Sequence, residues 1–276
     1  MRKPLVAILG CGPSGLMAAQ ACAMNGVPYV IFSPKKQSVL GGAQFSHIYI
    51  PFEFDIPQDG EAKLTYVVRG DAETYQKKVY GDQMVPFVSF GKVHDGKVVP
   101  AWSLTNIYDR LWELHHDKIV DIKLDLMQVV QLPLGFDQVF SSIPLKSICL
   151  GQVDPSLGHW FKDQPVRIYN EAIEDIPDNT IVYDGTEEHS YYRMSKIFGV
   201  GSTEWGGNGA IPPLPGVRTI NKPIATSCDC FQVPRSSGLP AITLIGRFGT
   251  WRKGELTMHA FNRTIDTLSE MGATND

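Results

Sequence analysis

The stretch Leu5–Ser33 constrains this chain most. Leu5-Val6-Ala7-Ile8-Leu9 is an unbroken apolar run, the pattern of a strand covered on both faces of a parallel sheet. Gly10-Cys11-Gly12-Pro13-Ser14-Gly15 follows at once, then the helix-forming run Leu16–Met24, closed by Asn25-Gly26, and a second strand-like run, Val27–Phe32. The whole is a βαβ unit with G-x-G-x-x-G at the strand-to-helix turn. Gly10 permits the tight turn, Gly12 lets a pyrophosphate approach the backbone, and Gly15 lets helix and strand pack closely. The exposed N–H groups, with Pro13 and Ser14 in the first turn, then face the phosphates together with the helix dipole. A dinucleotide is therefore expected here. The second strand ends in Ser33, where Asp or Glu commonly holds the ribose hydroxyls. Ser33 can still hydrogen-bond a ribose. Lys35 and Lys36 either meet a 2′-phosphate, which would point to NADP, or form a solvated turn.

Charge and composition narrow the remaining classes. The net charge of −4 provides no general basic field, so nucleic acid would be met only through a local groove and an anionic membrane surface is not an expected partner. Met1-Arg2-Lys3-Pro4 runs directly into the first strand and no apolar run reaches membrane-span length, so neither a signal peptide nor a membrane span is expected. A cytoplasmic location and a monomer or homodimer are the accompanying expectations. The 5 cysteines are odd in number and scattered, as befits reduced thiols. Cys228-x-Cys230 is too closely spaced for a usual zinc knuckle and no Cys/His pair follows it, so no metal is expected.

Further along, Leu40-Gly41-Gly42-Ala43-Gln44-Phe45 is a second glycine turn, followed by His47. Residues 51–101 read as an antiparallel insertion with strands at Lys63–Val68 and Thr74–Tyr80. Ser103 opens a helix with a stripe of Leu104, Ile107, Leu111, Trp112 and Leu114. Ile119–Leu126 alternates like a strand, although 126–132 could be helical. Gln138–Ile143, introduced by Asp137 and ended by Pro144, reads as a buried strand returning to the parallel sheet. Residues 151–239 form a second insertion, with strands at Thr180–Asp184 and Ser190–Ser195 and an irregular pocket-lining loop over Gly199–Gly216. Near the end, Ala241–Ile245 is a buried strand, Gly246–Trp251 a turn, and Glu255-Leu256-Thr257 opens a long helix, a second arrangement suited to an anion. The expected fold class is α/β. Segments 1–50, 102–150 and 240–276 build a Rossmann-like domain, a parallel sheet flanked by helices, and 51–101 and 151–239 supply β-rich substrate or cap insertions.

Phe136-Asp137-Gln138-Val139-Phe140-Ser141-Ser142-Ile143-Pro144-Leu145 resembles the "FDxVxSTIPL" segment of the UDP-galactopyranose mutase and amine oxidase flavoproteins. Tyr191-Tyr192-Arg193 resembles the mutase "YTR/YYR" segment, and Gly246-Arg247-Phe248-Gly249-Thr250-Trp251 resembles the "GRxGxW/Y" turn of the group. Compact flavoproteins of bacteriophage and actinobacterial gene sets, some proposed to oxidise amino groups on modified nucleobases, are also similar. The resemblance implies FAD. It implies that Gly41, Gly42, Ala43 and Gln44 carry N–H groups past the pyrophosphate toward the flavin. It places Gly246, Arg247, Trp251, Glu255, Leu256 and Thr257 around the ring, where the helix end would stabilise negative charge on reduced flavin. Arg193 would hold a substrate diphosphate. His47 either lies against the isoalloxazine or is an ordinary hydrogen-bonded histidine, and Arg247 either lies beside the ring or forms a structural salt bridge.

Three functions follow. The first is a FAD-dependent, amine oxidase-like oxidoreductase removing a hydride from a C–N or C–O bond of a polar small molecule, a nucleotide-linked substrate or a modified nucleobase. The second is a mutase-like isomerase using reduced FAD. The third is a NADP-binding protein without turnover. The short inserts favour the first.

Overall fold

A computed structural model describes residues 5–34, 45–46, 61–81, 95–150, 154–207, 210–211, 213–231 and 242–273. The chain divides into two units, one of Met1–Val39, Tyr108–Lys162 and Pro223–Asp276, the other of Leu40–Ile107 and Asp163–Lys222.

The first unit is built on five parallel strands, numbered here along the chain as β1 (Val6–Leu9), β2 (Tyr29–Phe32), β6 (Ile119–Val120), β7 (Gln138–Ser141) and β13 (Ile242–Leu244), in the spatial order β13-β7-β1-β2-β6. β1 is buried along its whole length, as its unbroken apolar sequence requires. Asp137 fixes the entry to β7: its carboxylate accepts from the Leu5 N–H at 2.7 Å while its own N–H donates to the Leu5 carbonyl at 2.9 Å. The unit's helices are α1 (Pro13–Met24), α4 (Leu126–Gln131), α5 (Leu145–Ile148), α6 (Gly246–Thr250) and α7 (Thr257–Ala273). α1 buries every residue from Gly15 to Cys22, so it is a core helix rather than an amphipathic surface one, and α7 packs along it. The expected fold class, α/β with a Rossmann-like parallel sheet, is the one observed.

The second unit holds most of an eight-stranded sheet in the order β12-β8-β11-β10-β9-β4-β5-β3. Its strands are β3 (Phe45–Ser46), β4 (Glu61–Gly70), β5 (Val98–Ser103), β8 (Phe161–Tyr169), β9 (Thr180–Gly185), β10 (Arg193–Ile197), β11 (Val200–Gly206) and β12 (Arg218–Thr226). β4 and β9 run parallel, whereas β3–β5, β4–β5, β9–β10, β10–β11 and β8–β11 are antiparallel. Boundaries between the units fall within β8, β12 and the helix α3 (Leu104–His115), which Ser103 opens by accepting the Asn106 N–H.

Three local expectations are corrected. Thr74–Tyr80 is not a strand but part of helix α2 (Ala72–Tyr80). Asp71 caps it by accepting the Thr74 N–H at 2.9 Å, and Tyr75 and Val79 fall on one buried face. Gly199–Gly216 is not throughout an irregular loop, because β11 runs from Val200 to Gly206 with Trp205 fully buried. The glycines of β11 serve close backbone approach rather than turning: a Cβ on Gly206 would stand 1.8 Å from the Lys78 carbonyl oxygen, and one on Gly201 2.3 Å from the Ala172 nitrogen. The alternating run from Ile119 is a strand only to Val120, where β2 supplies pairing, and 126–131 is helical behind an Asp125–Gln128 capping box.

Candidate functional site

The carboxyl ends of the parallel strands meet in one row. Leu9 is opposite Phe32 on one side and Ser141 on the other, and Ser141 is opposite Leu244. Pairing continues one residue beyond each strand: Gly10 N–H to the Phe32 carbonyl, Ser142 N–H to that of Leu9, and Ile245 N–H to that of Ser141, all at 2.9 Å. The chain leaves β1 toward β2 and β6 but returns on the opposite side of β1 as β7. At such a reversal, here between β1 and β7, doubly wound sheets present a crevice that receives ligands.

Main chain forms the crevice walls. Gly10 has φ +92°, a conformation costly for any side-chain-bearing residue. A Cβ on Gly15 would lie 1.8 Å from the Gly10 carbonyl oxygen, so only glycine allows the helix to rest on the turn. Ser142, which the sequence reading did not single out, locks this geometry by donating its hydroxyl to the Leu9 carbonyl at 2.8 Å. Gly12 is the N-cap of α1 with Pro13 at the first helical position; among the described residues no side chain caps the helix, and no acidic residue lies in its first turn. Four N–H groups at a helix start need partners from outside the helix, and Pro13 removes only one of them. The end of α1 therefore offers donors and a positive dipole end to an anion.

The C-terminal turn closes on the same point. Gly246, at φ +69°, sits so close to α1 that a Cβ would meet Ser14 Oγ at 2.3 Å. Residues 246–250 form the short helix α6 in place of the expected turn, and Trp251 follows at φ +52°. Trp251 is buried, donates from Nε1 to the Lys162 carbonyl at 3.2 Å and meets Phe161 edge-on at 5.4 Å between ring centres. Arg247 points its Nε and Nη2 at the Pro223 carbonyl, at 3.4 and 3.3 Å. Burial and then Arg247 pull the Lys253 ammonium down to about 8. Before α7, Glu255 is held by Arg263 at 2.8 Å, and its other oxygen is buried with no hydrogen-bond partner among the described residues. Leu256 donates its N–H to His259 Nδ1 at 3.1 Å, so that donor is already engaged, and Thr257 is the first residue of α7.

The structure thus brings Gly10, Gly12, Pro13, Ser14, Gly15 and Gly246 together. Ser33 lies at the end of β2, buried, with its hydroxyl hydrogen-bonded to the Cys11 thiol and its N–H donated to the Val120 carbonyl at 3.1 Å. Lys35, Gly41, Gly42, Ala43, Gln44 and His47 lie outside the described residues.

Arg193 belongs to the second unit and is committed to a buried charge cluster. Its Nη1 lies 3.2 Å from Glu204, which also accepts from Lys222 Nζ at 2.8 Å and from the Tyr192 hydroxyl. Burial alone would raise the Glu204 pKa; Lys222 and Arg193 overcome it and hold the carboxyl down at about 2. The Arg193 guanidinium carbon stands 5.9 Å from the centre of the Phe45 ring, and its Nε is buried without a hydrogen-bond partner among the described residues.

No protein-family model matches the sequence, and no curated protein matches it. Solved structures of similar fold include UDP-galactopyranose mutase in its reduced form, with TM-score 0.60 and 13% identity over 99% of this chain and 95% of that one. Another is 2-methyl-3-hydroxypyridine-5-carboxylic acid oxygenase, with TM-score 0.55, 12% identity, 98% of this chain and 81% of that one. A third is a putative FAD-containing monooxygenase from Photorhabdus luminescens subsp. laumondii, with TM-score 0.55, 12% identity, 99% of this chain and 90% of that one. Among the described residues no helix is long and apolar enough to cross a membrane.

Proposed function

We propose that the protein is a FAD-dependent oxidoreductase that takes a hydride from a C–N or C–O bond of a polar substrate, an amine on a nucleotide-linked molecule or modified nucleobase being the preferred class. The observation that carries this reading is the uncapped glycine-lined start of α1 with the Gly246 turn pressed against Ser14. Likeness in fold to the mutase and the two oxygenases supports it.

The residues present fit the cofactor. Gly12, Ser14 and Gly15 would hold the pyrophosphate through main-chain N–H groups, and the Ser33 hydroxyl is the group at the β2 end that could turn to a ribose. Bound FAD would supply the two-electron chemistry. The chain's own contribution is positional. Buried Trp251, anchored on Lys162, excludes water behind the turn, and Arg247 with Lys253 keeps the site electropositive.

A mutase-like isomerisation is the second reading, favoured by the coverage of the mutase structure. It would use Arg193 for the substrate diphosphate, yet Glu204 already neutralises that guanidinium.

The test is the visible spectrum of the purified protein, followed by anaerobic addition of amines and UDP-sugars. Oxidised-flavin bands bleached by an amine are expected. A colourless protein that takes up no FAD would overturn the proposal. Conversion of UDP-galactopyranose only after dithionite reduction would transfer it to the second reading.

A further inference from the structure

Outside the crevice, one group of side chains has no role in the reading above. Cys149 immediately follows α5, His159 lies in the turn before β8, and Cys228 and Cys230 lie in the turn after β12, all within the first unit. Their three sulfurs and the His159 ring nitrogen lie within 4.8 Å of one another. The individual separations are 3.1 Å for Cys149–Cys228, 3.7 Å for Cys149–Cys230, 3.2 Å for Cys149–His159 Nδ1 and 3.4 Å for Cys230–His159 Nδ1.

We propose that Cys149, His159, Cys228 and Cys230 bind one zinc ion in a tetrahedral site of three sulfurs and one nitrogen. A tetrahedral ion with Zn–S bonds of about 2.3 Å sets its sulfurs ~3.8 Å apart; Cys149–Cys230 at 3.7 Å matches that edge, and the 3.1 Å between Cys149 and Cys228 would have to open on binding. Four-cysteine ligation of an iron–sulfur cluster would need the sulfurs much farther apart and a fourth thiolate. Soft thiolates with one imidazole suit zinc.

The surroundings make an independent case. His159 presents Nδ1 to the sulfurs and Nε2 to the Asp229 carboxylate at 3.3 Å. A metal-bound histidine ordinarily donates its remote N–H to a carboxylate in this way, which fixes the tautomer. The two contributing turns are also tied by hydrogen bonds that need no metal. Trp160 N–H donates to Ser227 Oγ at 2.9 Å, and the Trp160 carbonyl accepts from Ser227 N–H at 3.2 Å and Thr226 Oγ1 at 2.8 Å. Binding would release the three thiol protons to solvent, leaving three thiolates and a neutral imidazole around the dication, a net charge of −1. C-x-C spacing alone does not signal such a site, because the other two ligands precede it by some seventy residues or more.

The site is structural rather than redox. All four positions belong to protein ligands, so no open position is left for substrate. Cys149 and Cys228 lie in the same apolar cluster as Trp251, with Phe161 against it, so the ion would steady the wall that carries Trp251.

The test uses the full chain, purified without a polyhistidine tag and without reductant. Its metal content is measured by mass spectrometry and its thiols by titration in denaturant. About one zinc per chain and 5 titratable thiols are expected. Fewer than about a tenth of a zinc per chain with no uptake of added Zn2+, or only three titratable thiols through a Cys149–Cys228 disulfide, would overturn the proposal. Asp229→Ala tests the outer contact without touching a ligand. Its side chain is 73% exposed, so the fold should survive, and a 10- to 100-fold loss of zinc affinity is expected. Unchanged affinity would count against the geometry. Cobalt(II) substitution should give intense tetrahedral d–d bands with thiolate charge transfer; weak octahedral bands would contradict it. Flavin absorbance on the same sample separates failure here from failure of the cofactor reading.

Discussion

The two units treat their strongest electrostatic features in opposite ways. In the first, the start of α1 presents N–H donors and a dipole end that no side chain caps among the described residues. In the second, two buried carboxylates among the described residues are neutralised from within: Asp184 by Lys78 Nζ at 2.6 Å, and Glu204 by Arg193 and Lys222. The contrast separates binding from scaffold. A polar element left unmatched in a shaped crevice waits for a ligand, whereas a buried charge matched on every side holds a fold together. It also explains why arginine in a family-like motif is weak ground for a substrate contact. Arg193 carries the motif but serves Glu204.

The comparison breaks most readily in the second unit. Lys78→Met would leave Asp184 buried without its main cation, and a loss of ~3–5 kcal/mol in denaturant unfolding is expected. A loss below about 1 kcal/mol would show that Arg69, at 3.9 Å, and the His189 ring, whose Nδ1 lies 3.0 Å from the carboxylate, suffice.

In the first unit the equivalent weak point is shape. Gly15→Ala drives a Cβ into the Gly10 carbonyl, at a cost of ~3 kcal/mol and with loss of co-purifying flavin. Retention of the flavin-to-protein absorbance ratio would contradict the crevice assignment.

Acid sharpens the comparison further, because the first unit buries a neutral histidine. His115 Nε2 faces the acceptor oxygen of Gln20 at 2.8 Å, so it must carry the ring proton, and Nδ1 then accepts from the Tyr29 hydroxyl at 2.7 Å. Burial lowers the His115 pKa from 6.5 to about 4. Below pH 6.5 the unfolded chain therefore takes up a proton that the folded one refuses, and stability falls as the pH falls toward 4. The loss should reach about 2 kcal/mol at pH 5. His115→Gln should flatten that part of the pH–stability curve; an unaltered slope would assign it elsewhere.

The smallest effect concerns Trp251. Trp251→Phe keeps the edge-on contact with Phe161 but removes the hydrogen bond to Lys162, for a loss of ~1 kcal/mol and a measurable shift in flavin fluorescence. A shift in stability without any change in flavin emission would move Trp251 out of the site.

Much of the first unit was legible because its signals are local. The strand, glycine turn and helix of residues 5–24 occupy adjacent positions in the chain, and each glycine has a steric reason visible in the spacing. The second unit was harder to read. Gly201 and Gly206 suggested a loop, but they lie in a strand against backbone from Ala172 and Lys78, contacts between distant segments. At Thr74–Tyr80 a strand-like reading missed the Asp71 cap and the Tyr75–Val79 stripe, signals that were present in the sequence. The Cys228–Cys230 pair suggested no metal site for a different reason: a zinc knuckle carries its second pair of ligands downstream, whereas Cys149 and His159 stand upstream.

Sequence alone determined the nucleotide-type turn, because sterics and hydrogen bonding over a dozen consecutive residues leave a G-x-G-x-x-G segment between strand and helix few alternatives. Tertiary structure decided which polar groups are spent and which are available. Arg193 is neutralised by Glu204 across an antiparallel pair, Leu256 N–H is taken by His259, Gly246 is pressed onto Ser14, and three cysteines and a histidine gather around one point. Each of these except the Leu256–His259 bond depends on bringing together residues from separate elements, and local propensity carries no information about which groups will meet there.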